Sequence, residues 1–222
     1  EDHMSTYSHN YDNLTDAFIK FTSNLPFYGI CVACIDDNGV KDILKKIHRP
    51  VLSYGFSENA DVKASNIQQN ELRMTFDVNC SKYDKKFPVI LNLIGNHNIS
   101  NATASIAISL NLGIGISKIK VALKKFLGIQ RRFTKVFSVG KREFYDDYAH
   151  HPTEIKAVIN SARQVYKERK IICVFQPHRY SRVKFLKNEF ASSFKSSDTV
   201  VLCPVYSAGE KVKYNFNQNN FS

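Results

Sequence analysis

The chain has 222 residues, with 31 Lys plus Arg against 20 Asp plus Glu, a net charge of +11. Hydrophobic residues make up 43% and charged residues 23%, an ordinary globular balance that excludes a disordered tail and supplies one or two cores. No apolar run reaches the roughly 18 residues of a spanning helix, and the acidic start does not read as a secretory leader, so no membrane partner is expected, and the odd set of cysteines fits a reducing cytoplasm.

In chain order, Leu14, Ala17, Phe18 and Phe21 carry helical spacing, ended by Asn24-Leu25-Pro26. The apolar run Ile30 to Ile35 reads as a buried strand. Val40, Ile43, Leu44 and Ile47 form a second helical stripe, and Val51 to Phe56 a second strand. The period then changes to two. Met74, Phe76, Val78 and Cys80 alternate, and so do Phe87, Val89, Leu91 and Leu93, with Ser81 to Lys86 as the turn of a hairpin. Two helices follow, over 100–111 and 117–126.

A new unit is predicted to begin after Gly128. Lys135 to Val139 and Glu143 to Tyr148 read as a hairpin or a strand entering a loop. Ile155, Val158, Ile159, Ala162 and Val165 mark a helix, and Ile171 to Phe175 a buried strand. Leu186, Phe190 and Phe194 lie on one further helix, and Thr199 to Cys203 is a third strand. Strands alternating with helices predict an α/β fold with a mainly parallel sheet. The expected organisation is residues 1–128, then 129–210, then a polar, Asn-rich tail over 211–222 that reads as disordered.

Five cysteines do not make a disulfide framework, and most sit in apolar runs. Cys31 and Cys34 have the spacing of half a zinc or redox motif. In a strand, however, residues three apart face opposite ways, and no second pair follows.

Parallel sheets bind ligands beyond the carboxyl ends of their strands, so polar clusters there carry the chemistry. One is Tyr145-Asp146-Asp147-Tyr148-Ala149-His150-His151-Pro152-Thr153-Glu154, with Pro152 opening a helix. That places His150 and His151 at a helix N-terminus, where free N–H groups attract anions. The other is Gln176-Pro177-His178-Arg179-Tyr180-Ser181-Arg182. If Tyr180 opens a helix, Arg179 and Arg182 share one face, two forks suited to carboxylate or phosphate. Further back, Asn98 and Asn101 begin a helix, where one caps and the other reads an amide-like edge. At the boundary, Gln130-Arg131-Arg132-Phe133 offers an arginine to reach a phosphate, against the plainer reading of a surface linker. The histidine of Glu1-Asp2-His3-Met4 is a candidate metal ligand.

The strings Glu-Asp-His-Met at 1–4, Asn-Leu-Pro-Phe-Tyr-Gly at 24–29, Tyr-Gly-Phe at 54–56, His-Asn-x-x-Asn-Ala at 97–102 and Arg-Arg-Phe at 131–133 occur in this order. They are followed by Asp-Asp-Tyr-Ala-His-His-Pro-Thr-Glu at 146–154, Phe-Gln-Pro-His-Arg-Tyr-Ser-Arg at 175–182 and Val-Tyr-Ser-Ala-Gly-Glu at 205–210. Taken together they resemble the ATP-dependent Mur ligases of peptidoglycan synthesis, in the branch that joins L-alanine to UDP-N-acetylmuramate. The resemblance implies the later part of a central ATPase domain followed by most of a Rossmann-like C-terminal domain. It implies ATP and Mg2+ as cofactors, with UDP-N-acetylmuramate and L-alanine as substrates. It implies His3 as the magnesium ligand, Asn98 and Asn101 as adenine contacts, and Arg132 and Asp147 as ATP contacts. His150, Arg179 and Arg182, with Tyr148 and His178, are implied on the substrate side. The family's Gly-Lys-Thr phosphate loop is not in this sequence, so a fragment or a decayed gene product is expected, inactive alone, with an upstream polypeptide as the partner that would complete it. The competing reading from charge is a non-catalytic basic module for nucleotide or nucleic acid. No nucleic-acid motif accompanies the charge, so no nucleic-acid partner is expected. A metal hydrolase on His150 and His151 is weaker, because neighbouring loop histidines are poor paired ligands.

Overall fold

The computed structural model describes residues 4–8 and 10–210. His3 and the 211–222 tail lie outside the described residues. The chain divides into two compact units, Glu1–Leu127 and Gly128–Ser222, and each is described by itself.

In the first unit, Asn10 caps helix α1 (Tyr11–Ser23) by accepting from the Asp12 N–H at 2.8 Å. Strands β1 (Cys31–Cys34) and β2 (Val51–Gly55) pair in parallel across helix α2 (Asn38–Leu44). Strand β3 (Val62–Asn70) continues the sheet parallel to β2. Strands β4 (Arg73–Cys80) and β5 (Lys85–Leu91) add antiparallel, giving the order β1-β2-β3-β4-β5. The expected hairpin is β4–β5. The strand before it has no counterpart in the sequence reading. Only Val62 and Ala64 of β3 are buried, and Asn66 bulges out with φ 51°, so the alternation stops after two apolar residues. A parallel join normally needs a long crossover. Here β2 and β3 overlap only at Tyr54–Val62 and Gly55–Lys63, so β3 starts where β2 ends and a short loop suffices.

Two carboxylates fasten that loop. Asp61 accepts from the Ser53 N–H and hydroxyl at 2.8 and 2.6 Å, and Asp36 from the Phe56 and Ser57 N–H groups at 2.8 and 3.0 Å. Gly55 lets Asp36 approach, since a Cβ there would sit 2.6 Å from its carboxylate oxygens. Helices α3 (Asn96–Asn111) and α4 (Ile116–Lys125) pack on the sheet. Leu52, Phe76, Val78, Val89, Ile99 and Ile106 form the centre of the core. Each such side chain stabilises the fold by about 1.5–3 kcal/mol relative to exposure.

The second unit begins with a hairpin, β6 (Thr134–Val139) and β7 (Arg142–Asp146). Helix α5 (Pro152–Val165), strand β8 (Ile172–Phe175), helices α6 (Tyr180–Phe185) and α7 (Lys187–Ser193), and strand β9 (Thr199–Leu202) follow. β8 and β9 pair in parallel, as expected of an α/β unit. Three details differ from expectation. β7 pairs with β6 as the hairpin reading has it, but among the described residues this pair forms a sheet separate from β8 and β9. The single helix expected around Leu186 is two, because Leu186 leaves helical geometry at φ −117°, ψ 27°. All three apolar residues of that stripe still face the core, since Leu186 and Phe190 are buried and Phe194 packs beside them. Finally, β8 is not buried on both faces. Phe175 and Cys173 point to the core, whereas Ile172 and Val174 are 59% and 70% exposed. Among the described residues no helix is long and apolar enough to cross a membrane.

Candidate active site

The expected site residues divide between the two units. In the first, α3 starts two residues before Asn98, at Asn96, with Gly95 as its cap at φ 91°. Neither asparagine caps the helix. Asn98 is half-buried and donates from Nδ2 to the Ile94 carbonyl at 2.8 Å, which ties the helix to the end of the preceding strand region. Asn101, one turn on, is exposed. The pair therefore lies on consecutive turns, one side chain anchored and one open.

In the second unit the segment before β6 is cinched to the segment after β7. Asp147 accepts from the Phe133 N–H through Oδ2 and from the Ala149 N–H through Oδ1, both at 2.7 Å. The Tyr148 N–H donates to the Arg131 carbonyl at 2.7 Å, and the Arg131 guanidinium lies 4.7 Å from the Tyr148 ring centre. Arg131 and Phe133 have φ of 61° and 47°, a conformation that bulky side chains adopt only under constraint. Arg132, between them, is half exposed and reaches Glu154 at 3.6 Å.

Helix α5 opens as the sequence predicts, but its N-terminus is already occupied. His151 is the cap, accepting through Nδ1 from the Thr153 N–H at 3.3 Å. The Glu154 carboxylate turns back and accepts from the N–H groups of His150 and His151 at 3.0 and 3.2 Å. Three of the donors expected to attract a ligand anion are therefore already taken, two by Glu154 and one by His151. Burial pushes the Glu154 carboxyl up, but the two N–H donors, His150 and Arg132 outweigh it and hold it below the usual carboxylate value. His150 is fixed separately, with Nδ1 2.8 Å from the Tyr148 carbonyl.

The end of β8 brings the remaining residues together. Arg179 is not on the helix face with Arg182. It is the non-helical cap of α6, with φ 71° and ψ 132°, because its N–H must reach the Tyr206 carbonyl at 2.8 Å. The guanidinium of Arg182 lies over the preceding turn instead, with Nη1 3.3 Å from the His178 carbonyl and 3.4 Å from His178 Nδ1. Arg179 is exposed and makes no ion pair among the described residues. The rings of Tyr148, His150, His178 and Tyr206 form a row, with centres 5.0, 5.9 and 5.5 Å apart. Burial, then Arg182, His150 and Arg179, depress the His178 imidazole, with Glu210 pulling the other way. His178 is thus held neutral, an acceptor beside cations.

A row of flat polar rings edged by two guanidinium groups suits a ligand that is anionic at one end. It does not suit a metal. Among the described residues no three His, Cys, Asp or Glu side chains converge as ligands, and the histidine pair is spent on ring and capping contacts. Cys34 likewise meets Asp36 and Ser100, each at 4.0 Å, and the Tyr54 hydroxyl, none of which makes it half of a metal site. Sequence reasoning missed the supporting residues Glu154, Ser181, Tyr206 and Glu210. Glu154 was legible as the third residue after a capping position. The other three act across a gap of more than twenty residues, and no local pattern signals them.

Two family models match: that described as Mur ligase middle domain over residues 1–109, and that described as Mur ligase, glutamate ligase domain, over 131–217. The UDP-N-acetylmuramate–L-alanine ligase of Pelagibacter ubique is 45% identical over 226 residues, covering 100% of this chain and 48% of its own length. That of Ruthia magnifica is 44% identical over 214 residues, covering 95% and 46%. Among solved structures, the UDP-N-acetylmuramate-alanine ligase MurC of Thermotoga maritima superposes with a TM-score of 0.75 at 26% identity, over 92% of this chain and 44% of that one. This chain spans about half the length of the curated relatives it matches. With both domain models, these relatives and this fold in agreement, the chain belongs to the Mur ligase family.

Proposed function

We propose that this chain is the substrate-facing part of an ATP-dependent ligase that joins L-alanine to UDP-N-acetylmuramate. The observation that carries the reading is the convergence of Tyr148, His150, His178, Arg179 and Arg182 at the carboxyl end of β8. In the reaction, the muramoyl carboxylate takes the γ-phosphoryl group of ATP and releases ADP. The alanine amine then attacks the acyl phosphate, loses a proton and expels phosphate, leaving an amide. Arg179 and Arg182 supply fixed cations for the carboxylate of the amino acid and for the charge that develops on the acyl phosphate. His150 and His178, held by Tyr148 and Arg182, shape the pocket and orient the amine for attack. Asn98 and Asn101 face the adenine, and Arg132 and Asp147 the remainder of the nucleotide. Mg2+ is the family's metal, and His3 its ligand on this reading. His3 lies outside the described residues, and among those described no three His, Cys, Asp or Glu side chains converge on a metal.

The test is a chimera in which the first half of the Pelagibacter ubique relative precedes Glu1 of this chain. It is expected to release phosphate from ATP only with both L-alanine and UDP-N-acetylmuramate present. Arg179→Ala and Arg182→Ala are each expected to lower the rate at least about a hundredfold, the cost of an electrostatic contact made in the transition state. A chimera that folds but is indifferent to L-alanine would refute the proposal.

A further inference from the structure

We infer that Glu210 is a positioning residue for the two-arginine turn, acting through Ser181 from the far side of β9. The inference rests on the reading that Arg179 and Arg182 face a carboxylate substrate. Helix α6 starts at an arginine cap, and an arginine side chain has no acceptor to offer the helix's first N–H groups. Glu210 supplies the missing acceptor. Its Oε2 takes the Ser181 N–H at 3.1 Å, its Oε1 takes the Ser181 hydroxyl at 2.5 Å, and the Tyr180 backbone adds a further donor. Burial pushes the Glu210 carboxyl up, but the Ser181 and Tyr180 donors and the nearby Arg179 hold it below its usual value.

The segment that carries Glu210 also grips the turn from the other end. The Tyr206 carbonyl accepts from the Arg179 N–H, the Tyr206 N–H donates to the Pro177 carbonyl, each at 2.8 Å, and residues His178 and Tyr206 form a parallel bridge. Arg179 therefore holds a strained φ of 71° between two clamps, Tyr206 before it and Glu210 after it. Ala208, between the clamps, is itself at φ 49°. A turn so over-determined fixes the backbone from which the exposed Arg179 side chain projects. Glu210 also places an acceptor beside Arg179 without sitting on it, so the cation is available to an incoming carboxylate.

The experiment uses the full 222-residue chain, with Glu210→Gln, Ser181→Ala and Ser181→Thr. It reads the NMR signals of the Arg179 and Arg182 side-chain N–H groups, Ser181 amide exchange, melting temperature, and L-alanine affinity by titration. Glu210→Gln and Ser181→Ala are expected to shift the Arg179 signal and expose the Ser181 amide. Each is also expected to weaken L-alanine binding about tenfold, the effect of one charge-assisted hydrogen bond. Ser181→Thr, which keeps the hydroxyl, is expected to restore all three. An unmoved Arg179 signal, or a lower melting temperature with unchanged affinity, would overturn the inference and leave Glu210 a structural cap. If the wild-type chain does not bind L-alanine, the proposed function is contradicted, and the Arg179 signal alone then decides the role of Glu210.

Discussion

Helices α5 and α6 both open at the candidate site, and they are capped in opposite ways. α5 caps itself: His151 and Glu154 satisfy its first donors from within four residues. α6 cannot, because its cap is an arginine, and it borrows a carboxylate from a residue 29 positions away. The self-capped start is held without strain at its cap, at φ −109°, whereas the borrowed start carries φ 71° at Arg179. A local cap fixes a helix. A distant cap fixes a helix and also ties two strand ends together, and that is where the free cation sits.

The harshest way to break this comparison is to remove what both helices pack on. The core of the second unit includes Ile155, Ile159, Phe175, Leu186 and Phe190, and Phe190, fully buried, contacts Phe175 with ring centres 5.6 Å apart. Phe190→Ala is expected to cost about 3–5 kcal/mol in urea unfolding and to loosen both starts together. A sharper probe is Arg179→Gly. Glycine adopts φ 71° freely, so the variant is expected to gain about 1–3 kcal/mol of stability while losing L-alanine binding. Thermal melting and titration on one sample check both signs.

Milder still is Glu154→Gln, which weakens the local cap by about 1 kcal/mol. Its carboxyl is held below the ordinary 4.5, so its contribution is complete above that value and is lost as pH falls through the folded-state value. The wild-type chain is expected to lose stability below pH 4.5 more steeply than Glu154→Gln, as acid titrations of melting temperature would show. The smallest expected effect concerns His178. Its folded value lies below the ordinary 6.5, so the unfolded chain takes the proton first and stability declines as pH falls below 6.5. His178→Asn is expected to flatten that part of the curve, by less than about 1 kcal/mol.

What the sequence made legible follows the same division. The α5 opening at Pro152 reads correctly because its signal is local, and the return of Glu154, three residues after His151, was equally local though not read. The β4–β5 hairpin reads correctly because one face of each strand is buried throughout. Strand β3 does not, since its bulge at Asn66 and polar far half erase the alternation. The displacement of Arg179 from the α6 face was invisible for a related reason. Spacing places two arginines on one face only if both are helical, and the hydrogen bond to Tyr206 that takes Arg179 out of the helix is long-range. The motif strings contain residues that the fold brings together at the end of β8, while the partners that hold them needed the fold.

The most direct test of the central claim is a calorimetric titration of the 222-residue chain with L-alanine, repeated with Arg179→Ala and Arg182→Ala. Saturable binding to the wild type and at least about tenfold weaker binding in each variant are expected. Binding that is equal in all three chains, or equal for L-alanine and simple acetate, would contradict that claim.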